Sequence, residues 1–356
     1  HPGASIKVLT PHQLASLVFG IKGYEALALD LEGCDVILDE IHTYSDLIQT
    51  IVLKIIEILI SLGCRIHIGT ATMPKDLCDR VLTLLGGREA VYEVRLPASE
   101  LDGFDRHIVY KVDTEDNSVG VLDRLIRKSF DDGGSKILIV CNQVKKAQQF
   151  FREVEDRYPD VKKMLIHSRF KRSDRKRLES ELKDYDKSDE KCIVVSTQVV
   201  EVSLDISFDM MITECAPLDA LIQRFGRINR RRPVKGYRPV YVLSPLNTEK
   251  EVLPYRLETV QASYKVLPDG ELLKERSLQE LLDGVYPEII FGDIDVGVCF
   301  KEGEWRIKTL RHYSKSALLE TLDIDSVACI TESEKEVYEN SSFEKQMELE
   351  IPVSYK

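Results

Sequence analysis

The sequence predicts an α/β protein built on parallel sheets, with a small α+β domain at its end. Short β-rich runs alternate with helical stretches through the first 245 residues, the pattern of a parallel sheet covered by helices on both faces. At 356 residues and 43% hydrophobic content the chain can bury more than one core. Beyond Ser244 the alternation gives way to a charged helical segment and then to short alternating runs.

In the first block the candidate strands are Ile6 to Leu9, Asp35 to Leu38, Arg65 to Gly69 and Val91 to Arg95. A long helix, Asp46 to Ser61, stands between the second and third. In the next block they are Ile108 to Val112, Lys136 to Cys141, Lys163 to His167, Cys192 to Ser196, Met210 to Thr213 and Pro239 to Leu243. Between the blocks, Leu96 to Arg106 holds Pro97, Gly103 and three acidic residues, so a domain boundary is expected there. Thr248 to Leu282 reads as helical, and Ile289 to Val298, Trp305 to Leu310 and Glu348 to Val353 as strands of a tail domain. The expected organisation is residues 1–98 as the carboxyl-terminal part of a first sheet domain and 106–245 as a complete second one. A helical linker, 246–284, and an accessory domain, 285–356, follow.

Net charge is −11, which taken alone disfavours a polyanion partner. The average hides an asymmetry: Lys136 to Arg238 carries 23 Lys and Arg against 16 Asp and Glu, leaving −18 for the remainder. The eight cysteines are scattered without a CxxC pair, several inside apolar runs, so neither a disulfide scaffold nor a cysteine metal site is indicated. The longest apolar stretch, Leu47 to Leu62, is interrupted by Gln49, Lys54 and Glu57 and reads as a buried helix rather than a membrane span. With no signal peptide visible, a cytoplasmic location without membrane attachment is expected.

Val36-Ile37-Leu38-Asp39-Glu40-Ile41-His42 is an apolar strand ending in two carboxylates. Hydrolysis of a nucleoside triphosphate needs one carboxylate to hold Mg²⁺, usually through water, and another to position and deprotonate the attacking water. Asp39 suits the first role and Glu40 the second, although acidic residues also end strands for plain solubility. Gly69-Thr70-Ala71-Thr72-Met73-Pro74 again follows a strand, and its hydroxyls could hydrogen-bond the neighbouring Asp-Glu turn or simply make a Ser/Thr turn closed by proline.

Ser196-Thr197-Gln198-Val199-Val200-Glu201-Val202-Ser203-Leu204-Asp205 sets hydroxyls after a strand and then an acid. Thr197 could donate to a nucleic-acid phosphate, and Asp205 could accept from a ribose hydroxyl or orient an arginine. In Gln223-Arg224-Phe225-Gly226-Arg227-Ile228-Asn229-Arg230 three arginines recur at three-residue spacing, which on a helix would share one face and repel unless an anion lay opposite. A triphosphate fits, with the guanidiniums as arginine fingers. The alternative is a basic helix end. Ile166-His167-Ser168-Arg169-Phe170 ends a strand, and the basic residues from Lys171 to Arg177 form either a nucleic-acid contact or a solvated face.

The DEIH, TAT, Ser-Thr and QRFGRINR segments stand in the order and approximate spacing of superfamily 2 helicase motifs II, III, V and VI. With Thr10-Pro11-His12-Gln13, His167-Ser168-Arg169-Phe170 and Val199-Val200-Glu201-Val202-Ser203-Leu204-Asp205, the chain resembles the CRISPR-associated helicase-nuclease of type I interference systems. The resemblance covers residues 5 to 245 firmly and the tail loosely. It implies two RecA-like helicase domains, the first truncated, using ATP and Mg²⁺ to move along single-stranded DNA in antiviral defence. It also implies recruitment by a Cascade surveillance complex and delivery of DNA to an HD nuclease in cis or on another chain. By the same resemblance Asp39 holds the metal and Glu40 the water, while His42 and Gln223 couple the domains and Thr70 and Thr72 link hydrolysis to movement. Thr10, His167, Ser168 and Thr197 become strand contacts, Asp205 and Arg224 nucleotide contacts, and Arg227 and Arg230 the fingers.

Two departures accompany it. None of the 38 residues before Asp39 forms the GxxxxGK[ST] loop that cradles phosphates, and no run of paired His-Asp residues marks a nuclease. The expectation is a fragment that by itself hydrolyses ATP poorly or not at all. An RNA-directed DExH helicase shares the motor motifs, and a catalytically silent module binding nucleic acid or a partner protein also stays open.

Overall fold

The structure is a computed structural model that describes residues 6–44, 46–70, 72–114, 118–201, 206–231, 236–286, 298–301, 304–307 and 326–354. The chain divides into two compact units, His1–Arg95 with Leu282–Asp325, and Leu96–Leu281 with Ser326–Lys356. The first break falls just before the Pro97-containing segment. Of the residues beyond Leu96, Leu282–Asp325 are grouped with the first unit and Ser326–Lys356 with the second.

The first unit opens with α1 (Pro11–Phe19), whose start is written locally. Thr10 Oγ1 accepts from Gln13 N while Gln13 Oε1 accepts from Thr10 N, a capping box with Pro11 in the first turn. Gly20, at φ 58°, ends the helix in the left-handed region. α2 (Tyr24–Leu31), β1 (Asp35–Asp39), α3 (Asp46–Ser61), β2 (Arg65–Gly69) and α4 (Lys75–Leu84) follow. β1 and β2 pair in parallel, Asp35 opposite Arg65 and Asp39 opposite Gly69. Period-two alternation turns Val36, Leu38, Ile66 and Ile68 toward the core, while Ile37 on the other face is 74% exposed. α3 contributes Ile51, Ile55, Ile56 and Leu59, each at 1% exposure or less, so the interrupted apolar stretch is a buried helix. At roughly 1.5–3 kcal/mol per buried aliphatic side chain, this helix is the main anchor of the unit.

Ile6 to Leu9 and Val91 to Arg95, expected as strands, are irregular. Ile6, Val8, Tyr92 and Val94 are 79–92% exposed, and a strand is stable only when another strand's backbone completes its hydrogen bonds.

The second unit runs α5 (Ala98–Leu101), β3 (His107–Val112), α6 (Ser118–Asp131), β4 (Lys136–Val140), α7 (Val144–Arg157), β5 (Lys162–Ile166) and α8 (Arg172–Lys187). β6 (Cys192–Ser196), β7 (Met210–Glu214), α9 (Leu218–Phe225), β8 (Arg238–Leu243), α10 (Glu249–Val252), α11 (Leu257–Val266) and β9 (Glu271–Leu273) complete it. Its sheet has seven strands in the order β5-β6-β4-β7-β8-β3-β9, parallel except for β9, which runs antiparallel to β3. Six of these strands match the expected ones to within one residue. The seventh lies inside the segment expected to be wholly helical, because the free edge of β3, at His107, Ile108 and Val109, supplies backbone partners to Leu273, Leu272 and Glu271. β4, β6 and β7 are buried on both faces, with Ile137, Leu138, Ile193, Val194, Met211 and Ile212 fully inaccessible.

α12 (Leu278–Val285) continues from the residues of the second unit into those grouped with the first. β10 (Val298–Lys301) and β11 (Glu304–Ile307) form an antiparallel pair in the first unit's share of the tail. β12 (Ser326–Cys329) pairs antiparallel with β13 (Ile351–Ser354) around α13 (Lys335–Glu339) and α14 (Phe343–Leu349). Of the three expected tail strands, the first, Ile289 to Val298, lies outside the described residues except for Val298, which opens β10. The run through Trp305 begins at Glu304 and is described to Ile307, and the last begins only at Ile351, after α14.

Candidate functional site

In the first unit the candidate residues gather where two parallel strands end side by side. Asp39 is the last residue of β1 and remains exposed. Opposite it, Gly69 has no side chain, and a Cβ there would sit 3.4 Å from Asp39 Oδ1. Glu40 then turns the chain with φ 48° and ψ 43°, one of two non-glycine positive-φ residues among those described. A left-handed glutamate costs conformational energy and persists only where its surroundings hold it. Its N–H donates to Gly69 O at 2.9 Å, and its carbonyl accepts from Thr43 Oγ1 at 2.8 Å. The strain aims the carboxylate across to β2's end.

There the TAT segment meets it. Thr70 Oγ1 lies 3.4 Å from Glu40 Oε2 and 2.9 Å from His42 Nδ1, and it donates to Thr72 O at 2.5 Å. A hydroxyl has one proton; spent on Thr72 O, it leaves the oxygen to accept from Nδ1–H, which sets the His42 tautomer. The His42 side chain is 1% exposed. Gln49 on α3 donates to His42 O at 3.0 Å and Tyr44 O at 2.8 Å and so pins the loop. In the sequence Gln49 stood out only as a polar break in an apolar helix, the one available signal for it. Ala71 and Asp205 lie outside the described residues.

Among the described residues no group of three or more His, Cys, Asp or Glu is placed so that it could hold a metal ion. Asp39 is the residue that would hold a divalent ion here, which would keep most of its other ligands as water and substrate oxygens, as Mg²⁺ in phosphoryl-transfer sites does. An exposed carboxylate facing a glycine fits that use.

In the second unit the parallel strands bring Asn142, His167, Thr197 and Cys215 to one edge of the sheet, each following a strand's carboxyl end. Behind this edge lies Arg224. It is fully buried, and its five N–H groups all find acceptors: Glu201 Oε1 at 2.8 Å, Thr213 Oγ1 at 2.9 Å, Glu214 O at 3.1 Å, Asn142 Oδ1 at 3.0 Å and Tyr255 OH at 3.3 Å. Burial pushes the Glu201 carboxyl up, opposed by the Arg224 charge beside it. Asn142 also donates to Cys215 O at 2.8 Å, and its carbonyl accepts from Gln198 Nε2 at 2.8 Å. This network ties the Ser-Thr segment to the QRFGRINR segment. Asn142 and Tyr255 belong to no motif, and only folding shows them.

The three arginines do not share a helical face. α9 stops at Phe225, and Gly226 is closely packed, a Cβ there meeting Gln223 O at 3.2 Å. Beyond it the chain forms a parallel bridge with Phe208: Phe208 N donates to Arg227 O and Asn229 N to Phe208 O, each at 3.0 Å. Asn229 turns at φ 49°. An available edge has outcompeted continuation of the helix. Arg227, 7% exposed, donates to Val200 O at 2.7 Å and Glu201 O at 2.6 Å, whereas Arg230 is exposed and Gln223 half-buried. His107 Nε2 supports this turn from Ile228 O at 3.1 Å; burial, then the Arg106 charge, lowers its pKa to about 4.

His167 is buried and stacks on Phe170 at 4.3 Å, with Nδ1 accepting from Arg169 N at 3.2 Å, while Ser168 and Arg169 are exposed. Thr197 is 1% exposed, its N–H on Ile166 O. Thr10 caps α1. On α8, Arg175 and Arg177 pair with Glu179 and Glu181, one turn on, which favours the solvated-face reading of that helix.

A strand-end Asp-Glu-x-His joined to a Thr-x-Thr turn, with an arginine-rich segment on a parallel-sheet unit, is an arrangement similar to that of RecA-like helicases of superfamily 2. Residues 133–233 match the family model described as "CRISPR-associated nuclease/helicase Cas3, C-terminal". The chain is a homologue of the Cas3 nuclease/helicases and corresponds to part of their helicase portion. It is 27% identical over 298 residues to the CRISPR-associated nuclease/helicase Cas3 of Methanothermobacter thermautotrophicus, covering 80% of this chain and 35% of that protein. Its fold is similar to that of T. fusca Cas3 solved with ATP, at TM-score 0.65 and 22% identity over 77% of this chain and 38% of that one. It is also similar, at TM-score 0.63 and 20% identity over 78% and 40%, to a chain of a CRISPR RNA-guided surveillance complex described as pre-nicking.

Proposed function

We propose that the chain is the motor portion of an ATP-dependent DNA helicase acting in type I CRISPR interference in the cytoplasm. In this reading residues 1–98 are the carboxyl-terminal part of a first RecA-like domain and 106–245 a second. The phosphate-binding loop and the HD nuclease come from polypeptide outside these 356 residues. A Cascade-type surveillance complex bound to target DNA is the partner, and single-stranded DNA is the track.

The observation that carries the proposal is the join between β1 and β2: Glu40, His42 and Thr70 in mutual contact at the ends of adjacent parallel strands. Plain strand-terminal solubility needs neither a strained glutamate nor a buried histidine behind it. Asp39 is the residue that would hold Mg²⁺ through water, and the bound ion would neutralise charge on the transferring phosphoryl group. Glu40 would orient the attacking water and take its proton. Thr70 and His42 fix that carboxylate, so a change there is transmitted to the Thr72 turn. Arg227 and Arg230 are assigned the stabilisation of phosphoryl charge, Ser168 and Thr197 contacts with the DNA backbone, and Arg224 a positioning role through Glu201 and Asn142.

The test is ATP turnover by the complete protein with single-stranded DNA, with RNA and with neither. Stimulation by DNA supports the proposal. Stimulation by RNA alone points to an RNA-directed helicase, and no turnover under any condition points to a silent binding module.

A further inference from the structure

The register that sets Asp39 beside Gly69 also sets Cys34 beside Cys64 at the opposite end of the same two strands. Asp35 and Arg65 are partners, so the residues just before them are neighbours, and Arg65 N donates to Cys34 O at 3.0 Å. Adjacent strands lie about 4.8 Å apart, inside the roughly 4.4–6.8 Å between Cα atoms that a disulfide spans. Both thiols lean the same way: Cys34 Sγ donates to Asp30 O at 3.3 Å and Cys64 Sγ to Leu31 O at 3.0 Å, consecutive carbonyls at the end of α2. The turn before β1 is tied from both sides, Gly33 N donating to Leu62 O and Cys34 N to Leu31 O, each at 3.0 Å. Cys34 is exposed and Cys64 half-buried, whereas Cys141, Cys192 and Cys215 are sealed in the second unit's core.

We propose that Cys34 and Cys64 form a peroxide-sensitive dithiol that closes reversibly into an intrachain disulfide. The Cys34 thiolate attacks a hydroperoxide, breaking its O–O bond. The leaving oxygen departs as water or alcohol, and Cys34 becomes a sulfenic acid. Cys64 Sγ then attacks the Cys34 sulfur; the S–S bond forms, the S–O bond breaks, and hydroxide leaves as water with the Cys64 proton. Two thiols are oxidised and one peroxide is reduced. The bond fastens together the two strands whose far ends carry Glu40 and Thr70. It also resists their separation by closing the loop through α3.

Trypsin cuts after Lys54, between the two cysteines, so the pair can be read by peptide mapping of the 356-residue chain. The chain is treated with hydrogen peroxide, capped with a maleimide and digested without reductant. A linked peptide joining Cys34 to Cys64 is expected, lost on adding dithiothreitol. Oxidation also raises the midpoint of thermal unfolding, and reductant reverses the shift. Cys34→Ser and Cys64→Ser each abolish the link, and Cys78→Ser leaves its yield unchanged. Cys34 passing to sulfinic acid or cross-linking to a second chain, with Cys64 still labelled by maleimide, would overturn the proposal. So would a link that disappears in the Cys78→Ser chain.

Discussion

The hydroxyl of Thr70 and the imidazole of His42 meet at 2.9 Å, joining residues 28 positions apart through strands that lie side by side. Thr70→Val keeps the shape and removes the acceptor. One hydrogen bond of about 1.4 kcal/mol corresponds to tenfold in rate. ATP turnover by the complete protein is therefore expected to fall about tenfold, with DNA affinity unchanged. An unaltered turnover number would show that the contact is structural only.

Glu40→Gln preserves the size of the side chain and abolishes the base. If Glu40 deprotonates water, kcat in the complete protein drops about 10²- to 10⁴-fold while KM for ATP changes little. A fall confined to KM would assign Glu40 to binding instead.

Purified on its own, the 356-residue chain is expected to turn over ATP at background, because none of its residues forms the lysine-bearing loop that cradles phosphates. Phosphate release at the rate of a working helicase would refute this.

Arg224→Met leaves Glu201 buried without its cation. Breaking a buried pair on one side costs about 3–5 kcal/mol, and replacing both charges together costs less. Urea unfolding should therefore rank Arg224→Met as less stable than the Arg224→Met, Glu201→Met double variant. The reverse order would mean that Thr213, Asn142 and Tyr255, rather than the ion pair, carry the energy.

His107 is held neutral by burial, with its pKa lowered to about 4 from 6.5. The unfolded chain therefore takes up the proton first as pH falls. Its share of stability is intact above pH 6.5, declines through the window down to about 4 and then levels, a loss of about 3 kcal/mol in all. Denaturant unfolding at pH 7 and pH 5 should show a steeper loss in the native chain than in His107→Gln. Equal slopes would place the sensitivity elsewhere.

The strands of the second unit and the buried helix α3 were legible because each is a local apolar pattern long enough to outweigh its neighbours. Ile6 to Leu9 and Val91 to Arg95 carry the same local signal without forming strands. β9 carries almost none and pairs because β3 offers an edge. The arginine spacing suggested a continuous helix, yet Arg227 and Arg230 follow a chain that leaves α9 to bridge Phe208. Pattern records what a segment favours alone, and backbone partners decide the remainder.

Sequence by itself determined the chemistry on offer: acids after β1, hydroxyls after β2 and arginines after β7. Only the tertiary structure decided which groups meet. Parallel register brought Thr70 to Glu40 and His42, and burial enclosed Arg224 within its own unit with an acceptor for every N–H. The reason is physical: side-chain identity is local, whereas contact and dielectric environment are set by residues tens or hundreds of positions away.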